Sequence, residues 1–405
     1  MLIDPTPLER LHGFACACAG GVACTGEPAR RASAASTAQS TSEWRKLGPR
    51  RPSLLATTST APSSPPELPP IPESTYNRVA MKAILYHDYG SPDVLRYQEV
   101  DKPTAGDDQV LVKIRAASVN PLDWHVMRGT PYMLRVGAGL RKPKETRLGV
   151  DVAGEVEAVG ANITEFKPGD EVFGACRGAF AEYACTSASA LVTKPDNVTF
   201  EQAAAVNVAA MTALQGLRDK GHIQPGRMVL INGAAGGVGT FAVQIAKSFG
   251  ADVTGVCSTR NVDMVRSIGA DHVIDYTQED FTRSELCYDL ILDCVGNHSL
   301  SAFRRVLNPK GAYVIVGGPS GRWMIGLLAR VITALVLSRF VSQKLGLLMP
   351  RRSKEDLTII RELMAAGTVT PVIDKRYRLS EVPEAVQYLE QGHARGKVVI
   401  TVACG

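Results

Sequence analysis

The pattern of apolar and polar positions divides the chain at residue 80. From Met81 onward, short apolar runs alternate with polar ones in two different rhythms. The segments 82–86 (KAILY), 110–119 (VLVKIRAASV), 154–160 (GEVEAVG) and 170–175 (DEVFGA) read as short strands punctuated by Gly, Pro and Asp. Further along the rhythm changes. A strand over 228–231 precedes a helical period over 240–249, which ends at Gly250, a residue suited to terminating a helix. More strands are predicted at 252–256, 271–276, 288–295 and 311–316, separated by helix-length segments. Such alternation predicts an α/β fold with a parallel doubly wound sheet and ligands at the carboxyl ends of its strands.

Residues 1–80 have neither rhythm. They hold 11 of the 24 prolines amid Ser, Thr and Ala, and bury too little apolar surface to offset the entropy of ordering. A disordered tail is expected. Only one acid, Glu43, lies between Arg30 and Ser64, a bias typical of an organelle transit peptide, although Asp4 and Glu9 near the start weigh against it. A plain extension, or an upstream start before Met81, is the alternative. The Ser, Thr and Pro content leans toward a chloroplast address over a mitochondrial one.

Composition adds exclusions. With 405 residues, 45% hydrophobic and 21% charged, the chain is neither collagen, nor mainly disordered, nor a disulfide-dense mini-protein. A net charge of +5 is too small to argue for a nucleic-acid partner. Cys16, Cys18 and Cys24 sit in the tail, and the other cysteines lack close CxxC pairs. That suits a reducing compartment and gives no four-thiolate zinc site.

The most informative stretch is 226–260, GRMVLINGAAGGVGTFAVQIAKSFGADVTGVCSTR. Gly233, Gly236, Gly237, Val238 and Gly239 lie where the predicted strand passes into the predicted helix. Glycines there let the backbone approach a pyrophosphate, which rests on the amides of the helix N-terminus. The next strand ends at Cys257-Ser258-Thr259-Arg260. A carboxylate at that point would bind the ribose hydroxyls of NAD; Ser258, Thr259 and Arg260 suit a 2′-phosphate instead, so NADPH is the expected cofactor. Tyr276, Val295, Gly296 and the turn at Val316, Gly317 and Gly318 should face the same ligand.

The glycine loop from Leu230 to Lys247, the start MKAILYHDYGSPDVL, the block SVNPLDWHVMRG and the ending GHARGKVVITV together resemble the quinone oxidoreductases of the medium-chain dehydrogenase/reductase superfamily. The resemblance covers essentially all of 81–405. It is close to the plastid envelope quinone oxidoreductase and alkenal/oxoene reductase branch, and to mitochondrial reticulon-interacting relatives. It implies a GroES-like substrate domain over 81–205 and 352–405 around a Rossmann NADP-binding domain over 206–351. A homodimer is expected. Where zinc-dependent relatives carry metal ligands, this chain has Asn120-Pro121-Leu122-Asp123 and Gly149-Val150-Asp151, and the four-Cys lobe is missing; a zinc-free site is expected.

By the same resemblance Asn120 and Asp123 border the nicotinamide, Thr212 lies against the cofactor, Tyr132 is a candidate proton donor and Lys397 closes the site. Asn120-Pro121 as a turn, and Asp123 as a cap on a helix over 124–128, remain the structural alternatives. Without a metal to polarise the carbonyl, hydride transfer suits acceptors that are already electron-poor, namely quinones and α,β-unsaturated carbonyls. The alternative is an NADPH-binding scaffold or membrane-surface protein without turnover. Residues 322–354 hold seven basic residues and no acid; their charge-free runs are far short of the roughly 20 residues needed to span a bilayer. That segment is expected to cover the substrate cleft or a dimer seam, or to make peripheral contact with an anionic membrane.

Overall fold

The computed structural model describes residues 79–318 and 325–403. The transit-peptide reading and the first residues of the 322–354 segment lie outside them. Strands β1 (Ala80–Leu85) and β2 (Arg96–Asp101) form an antiparallel pair. Strand β3 (Gln109–Val119) leads into helices α1 (Pro121–Arg128) and α2 (Leu134–Ala138). Strands β4 (Asp151–Val159), β5 (Glu171–Ala175), β6 (Tyr183–Ser187) and β7 (Leu191–Thr193) follow, then helices α3 (Phe200–Ala204) and α4 (Asn207–Gln215).

Regular alternation takes over with β8 (Met228–Asn232), α5 (Gly237–Ser248), β9 (Asp252–Cys257), α6 (Val262–Ser267) and β10 (His272–Asp275). It continues through β11 (Tyr288–Asp293), α7 (Leu300–Arg305), β12 (Leu307–Ile315), α8 (Ile325–Leu337) and β13 (Lys344–Leu347). The chain closes with α9 (Lys354–Ala365), β14 (Ile373–Arg378), α10 (Val382–Glu390) and β15 (Lys397–Thr401).

Two large sheets carry the fold. The six-stranded one is parallel throughout, in the order β10-β9-β8-β11-β12-β13. This is the doubly wound order in which the strand sequence reverses between its first and fourth strands, leaving a crevice at the carboxyl ends of β8 and β11. The other sheet runs β14-β15-β3-β4-β5-β7, with β6 also paired to β3. The fold is thus α/β, a GroES-like part joined to a Rossmann part. The last strand returns to the first half of the chain: β15 pairs antiparallel with β3, Val398 opposite Val119.

The apolar rhythm explains the packing. Helix α5 buries Phe241, Ala242, Val243, Ile245 and Ala246 against one face of the six-stranded sheet. On the other face Phe303 of α7 and Ala334 of α8 pack on Leu230, Ile291, Tyr313 and Ile315. Burying one such large side chain stabilises by roughly 1.5–3 kcal/mol. Among the described residues no helix is long and apolar enough to cross a membrane.

Several expected boundaries shift for identifiable reasons. Helix α5 begins at Gly237, ahead of residue 240, because the loop glycines themselves form its first turn. Helix α1 begins at Pro121, with Asn120 as its N-cap residue. Strand β11 stops at Asp293, whose carboxylate turns to accept the amides of Val295 and Gly296. Arg330, one of the basic residues of the 322–354 segment, points inward to Asp293 at 2.8 Å and to the carbonyl of Gly296 at 2.8 Å. The surface of α8 is instead apolar, at Ile332, Leu335 and Val336.

Candidate active site

The glycine loop builds the first half of the site. Gly233 follows β8 and Gly236 is the N-cap residue of α5, a helix of 12 residues whose first turn holds no acid and whose N-cap makes no side-chain bond. An N-terminus of this kind fits an anion, since its amides and dipole present positive charge. At Gly239 an added Cβ would lie 2.1 Å from the carbonyl oxygen of Gly233; the close approach of helix to loop requires glycine. Val238 is partly buried against the core beside it, and Gly317 follows β12 at the same end of the sheet.

Strand register builds the second half. Ser118 of β3 stands opposite Asp151 of β4, and the Val398–Val119 pairing sets Lys397 beside Asn120. Asp151, with no exposed surface, accepts Ser118 Oγ at 2.8 Å and Asn120 Nδ2 at 2.9 Å. Its other oxygen accepts Asn207 Nδ2 and the amide of Val208, both at 3.1 Å and both at the N-terminus of α4. Lys397, 3% exposed, donates from Nζ to Asn120 Oδ1 at 2.6 Å and stands 3.4 Å from Asp151. Its stem runs along the glycine loop, where a Cβ on Gly237 would meet Lys397 Cδ at 3.2 Å. Asn120, Asp123 and Lys397, named separately from the sequence, are thereby brought together at the glycine loop.

Asp123 is buried beneath this cluster and accepts the Asn120 amide at 2.7 Å. Burial pushes its carboxyl up to about 7; the Asp151 charge adds to this, while the Asn120 amide and the Lys397 ammonium oppose it. In the unfolded chain the same carboxyl titrates near its ordinary 3.8. Between those values the folded state keeps a proton that the unfolded state loses, so stability falls as pH rises from about 4 to about 7. Asp123→Asn removes that slope. Its unfolding free energy is expected to match the parent's near pH 4 and to exceed it near pH 7, by an amount of the order of a few kcal/mol. Parallel stability curves across this window would refute the assignment.

The remaining residues sort differently. Thr212 is buried on α4 and its hydroxyl donates to the carbonyl of Val208 at 2.6 Å. Tyr276 is 55% exposed just beyond β10. Ser258 accepts Asn261 Nδ2 at 3.1 Å, and the Thr259 hydroxyl donates to Asp275 at 2.6 Å. Arg260 donates to the carbonyl of His393 at 2.9 Å. Tyr132 belongs to another grouping, lining a cavity of about 560 Å³ with Tyr89, Trp124, His125, Arg128 and Glu390. Arg128 and Glu390 close part of its wall as an ion pair. His125 Nδ1 lies 2.8 Å from the Thr130 carbonyl, and burial holds its ring below the usual histidine range.

From the sequence Asp151 stood only at the place of a lost zinc ligand, and Ser118 and Asn207 had no role. Asp151 had one available signal: an acid at the start of a buried apolar strand needs internal donors. Among the described residues no group of three or more His, Cys, Asp and Glu is arranged to hold a metal ion.

Comparison with known proteins agrees with this architecture. Residues 106–196 match the alcohol dehydrogenase GroES-like domain, and residues 268–400 match a family described as zinc-binding dehydrogenase. The chain is 34% identical over 394 residues to the mitochondrial NAD(P)H oxidoreductase RTN4IP1 of Bos taurus, covering 89% of this chain and 95% of that protein. It is 35% identical over 340 residues to a 2-methylene-furan-3-one reductase of Solanum lycopersicum, covering 79% of each. With a chloroplast envelope quinone oxidoreductase homolog of Arabidopsis thaliana it shares 33% identity over 79% of this chain and 98% of that one. The structure of a quinone oxidoreductase from Coxiella burnetii superposes with a TM-score of 0.70 at 29% identity, covering 80% of this chain and all of the other. On the fold, the strand order and these relatives, the chain belongs to the medium-chain dehydrogenase/reductase superfamily.

Proposed function

We propose that this oxidoreductase uses NADPH to reduce quinones or α,β-unsaturated carbonyls. The observation that carries the reading is Lys397, whose stem lies on the glycine loop and whose ammonium is held at Asn120 among buried partners. A reduced nicotinamide, when bound, supplies the hydride. The glycine loop and the α5 N-terminus hold the pyrophosphate. The Lys397 ammonium, in surroundings from which water is excluded, favours negative charge developing on the acceptor oxygen. Asp151 and Asn120 fix the direction of that ammonium.

Asp123 keeps a proton below about pH 7 directly under this group. Reduction of an enone places hydride on the β-carbon and one proton on the α-carbon, so a protonated carboxyl behind the cluster suits the balance. The cavity lined by Tyr89, Trp124 and Tyr132 has aromatic walls, with Arg135 over the two tyrosine rings and His125 stacked on Trp124. The relatives named as quinone and furanone reductases support the same substrate class. The quinone oxidoreductase relatives support a chloroplast address, and the RTN4IP1 relatives a mitochondrial one.

One observation favours cofactor binding without turnover: Asn120 and Asp123 both direct their polar atoms into the protein. A panel of small quinones and enones separates the two readings. With the full chain, NADPH should be consumed with at least one acceptor, and NADH more slowly. If NADPH binds in a fluorescence titration but no acceptor oxidises it, the scaffold reading replaces ours.

A further inference from the structure

Helix α8 presents an outer face without charge of its own. Arg330 is its one charged residue, and that guanidinium is drawn inward to Asp293 and to the carbonyl of Gly296, its side chain 12% exposed. Ala334 is buried on the sheet, with Val331, Leu337 and Val341 partly buried beside it. The outward positions follow at helical spacing. Ile332, Leu335 and Val336 are each more than half exposed, and Phe340, in the turn after the helix, is 81% exposed. Ser342 Oγ then donates to the carbonyl of Pro309, which brings the apolar face up to Lys310, the next residue of β12.

That corner is cationic. Lys310 and Lys344 line a cavity of about 80 Å³ with His222 and Arg227, on the amino-terminal side of β8, β11, β12 and β13. The glycine loop lies at the opposite end of the same parallel sheet. Asp289, the acid on the cavity wall, already accepts Arg227 at 3.1 Å, the Met228 amide at 3.1 Å and Asn308 Nδ2 at 2.9 Å. Lys310, Arg339 and Lys344 are exposed, and among the described residues no carboxylate lies within ion-pair distance of them. Every charged residue between Asp293 and Glu355 is basic.

We propose that this edge of the Rossmann half docks on an anionic lipid bilayer, with the outer face of α8 entering the headgroup boundary and Lys310, Arg339 and Lys344 pairing with lipid phosphates. An apolar helix face beside uncompensated cations binds at such an interface because buried apolar area and attraction to anionic lipid add. At 13 residues the helix lies on the surface and does not span it. A second copy of this chain is the poorer occupant. A two-fold contact would press one cationic rim against another, with no acid between Asp293 and Glu355 to offset them. Docking through this end of the sheet leaves the cofactor crevice, at the other end, uncovered.

Flotation of the full chain with lipid vesicles tests it. At low salt the parent should float with mixed phosphatidylcholine and phosphatidylglycerol vesicles and not with phosphatidylcholine alone. Lys310→Gln with Lys344→Gln should weaken that binding more than about tenfold, because each basic residue at such a surface adds to the attraction. Leu335→Gln with Phe340→Gln should weaken it by a similar factor through lost apolar burial. Lys310→Arg with Lys344→Arg should bind as the parent does, which separates lost charge from lost folding. No flotation of the parent, or equal flotation with both kinds of vesicle, overturns the proposal. Parent-like binding by both Gln pairs overturns it too, since attachment would then come from another part of the chain. If Leu335→Gln with Phe340→Gln leaves flotation unchanged and turns a dimer into a monomer by light scattering, the face is a seam between copies. If the parent does not float but inorganic phosphate saturates it in a calorimetric titration, and the Lys→Gln pair abolishes that signal, the cavity holds a soluble anion and the lipid assignment is wrong.

Discussion

Asp151→Ala is expected to lose about 3–5 kcal/mol of stability, the cost of breaking a buried ion pair by removing one partner. The parent carboxylate has no exposed surface and gathers Ser118, Asn120, Asn207, the Val208 amide and Lys397. Without it, Lys397 remains a 3% exposed ammonium whose one close partner is the neutral amide oxygen of Asn120. The α4 N-terminus loses its anion at the same time, a contact that itself contributes up to about 2 kcal/mol when partly buried. Because total stabilities are typically about 5–15 kcal/mol, a large fraction of the fold is at stake. Urea denaturation at neutral pH measures it. Asp151→Asn, which keeps the shape and one acceptor, should fall between parent and alanine variant. A loss below about 1 kcal/mol would mean that water or a rearranged partner already serves these donors.

Gly239→Ala should combine two losses. The added methyl meets the Gly233 carbonyl at 2.1 Å and Ala234 Cα at 2.8 Å, both backbone atoms that cannot swing aside. The helix has to slide away from the loop, which costs about 1–3 kcal/mol as overpacking does elsewhere, and cofactor affinity should fall more than about tenfold as the amides move. Gly236→Ala is the informative contrast. Its methyl would come no closer than 3.4 Å to the Gly233 carbonyl oxygen, and its φ of −83° is open to any residue. That variant should melt within about 1 kcal/mol of the parent yet bind NADPH poorly, because the methyl occupies the approach of the pyrophosphate. Normal affinity in Gly236→Ala would remove the loop from the cofactor site.

Much of the Rossmann half was legible because its signals are local. The strand at 228–231, the glycines and the helix ending before Gly250 lie within one short stretch, so periodicity and turn chemistry suffice. The hub at Asp151 was not legible in that way. It exists only because β3 pairs with β4 and β15 in particular registers, joining residues 118, 151, 207 and 397. Arg330 and Arg395 follow the same logic. By composition each belongs to a basic surface, and only tertiary pairing turns one toward Asp293 and the other toward Arg260. Asp123 lies between these cases: the helix position was readable, whereas its burial under Lys397 was not.

The return of β15 to β3 also orders the chain in time. The six-stranded sheet is contiguous from Met228 to Leu347, so every strand it needs has left the ribosome before the last segment is made. The other large sheet has to wait: the Ala116–Val119 end of β3 keeps an open edge until Lys397–Thr401 emerges, the strand that also delivers the buried ammonium. The parallel sheet can be finished during synthesis, while the other large sheet is completed only once β15 is made. A ribosome that stops short of residue 397 therefore releases a chain with every strand of the parallel sheet and no ammonium beside Asn120 and Asp151.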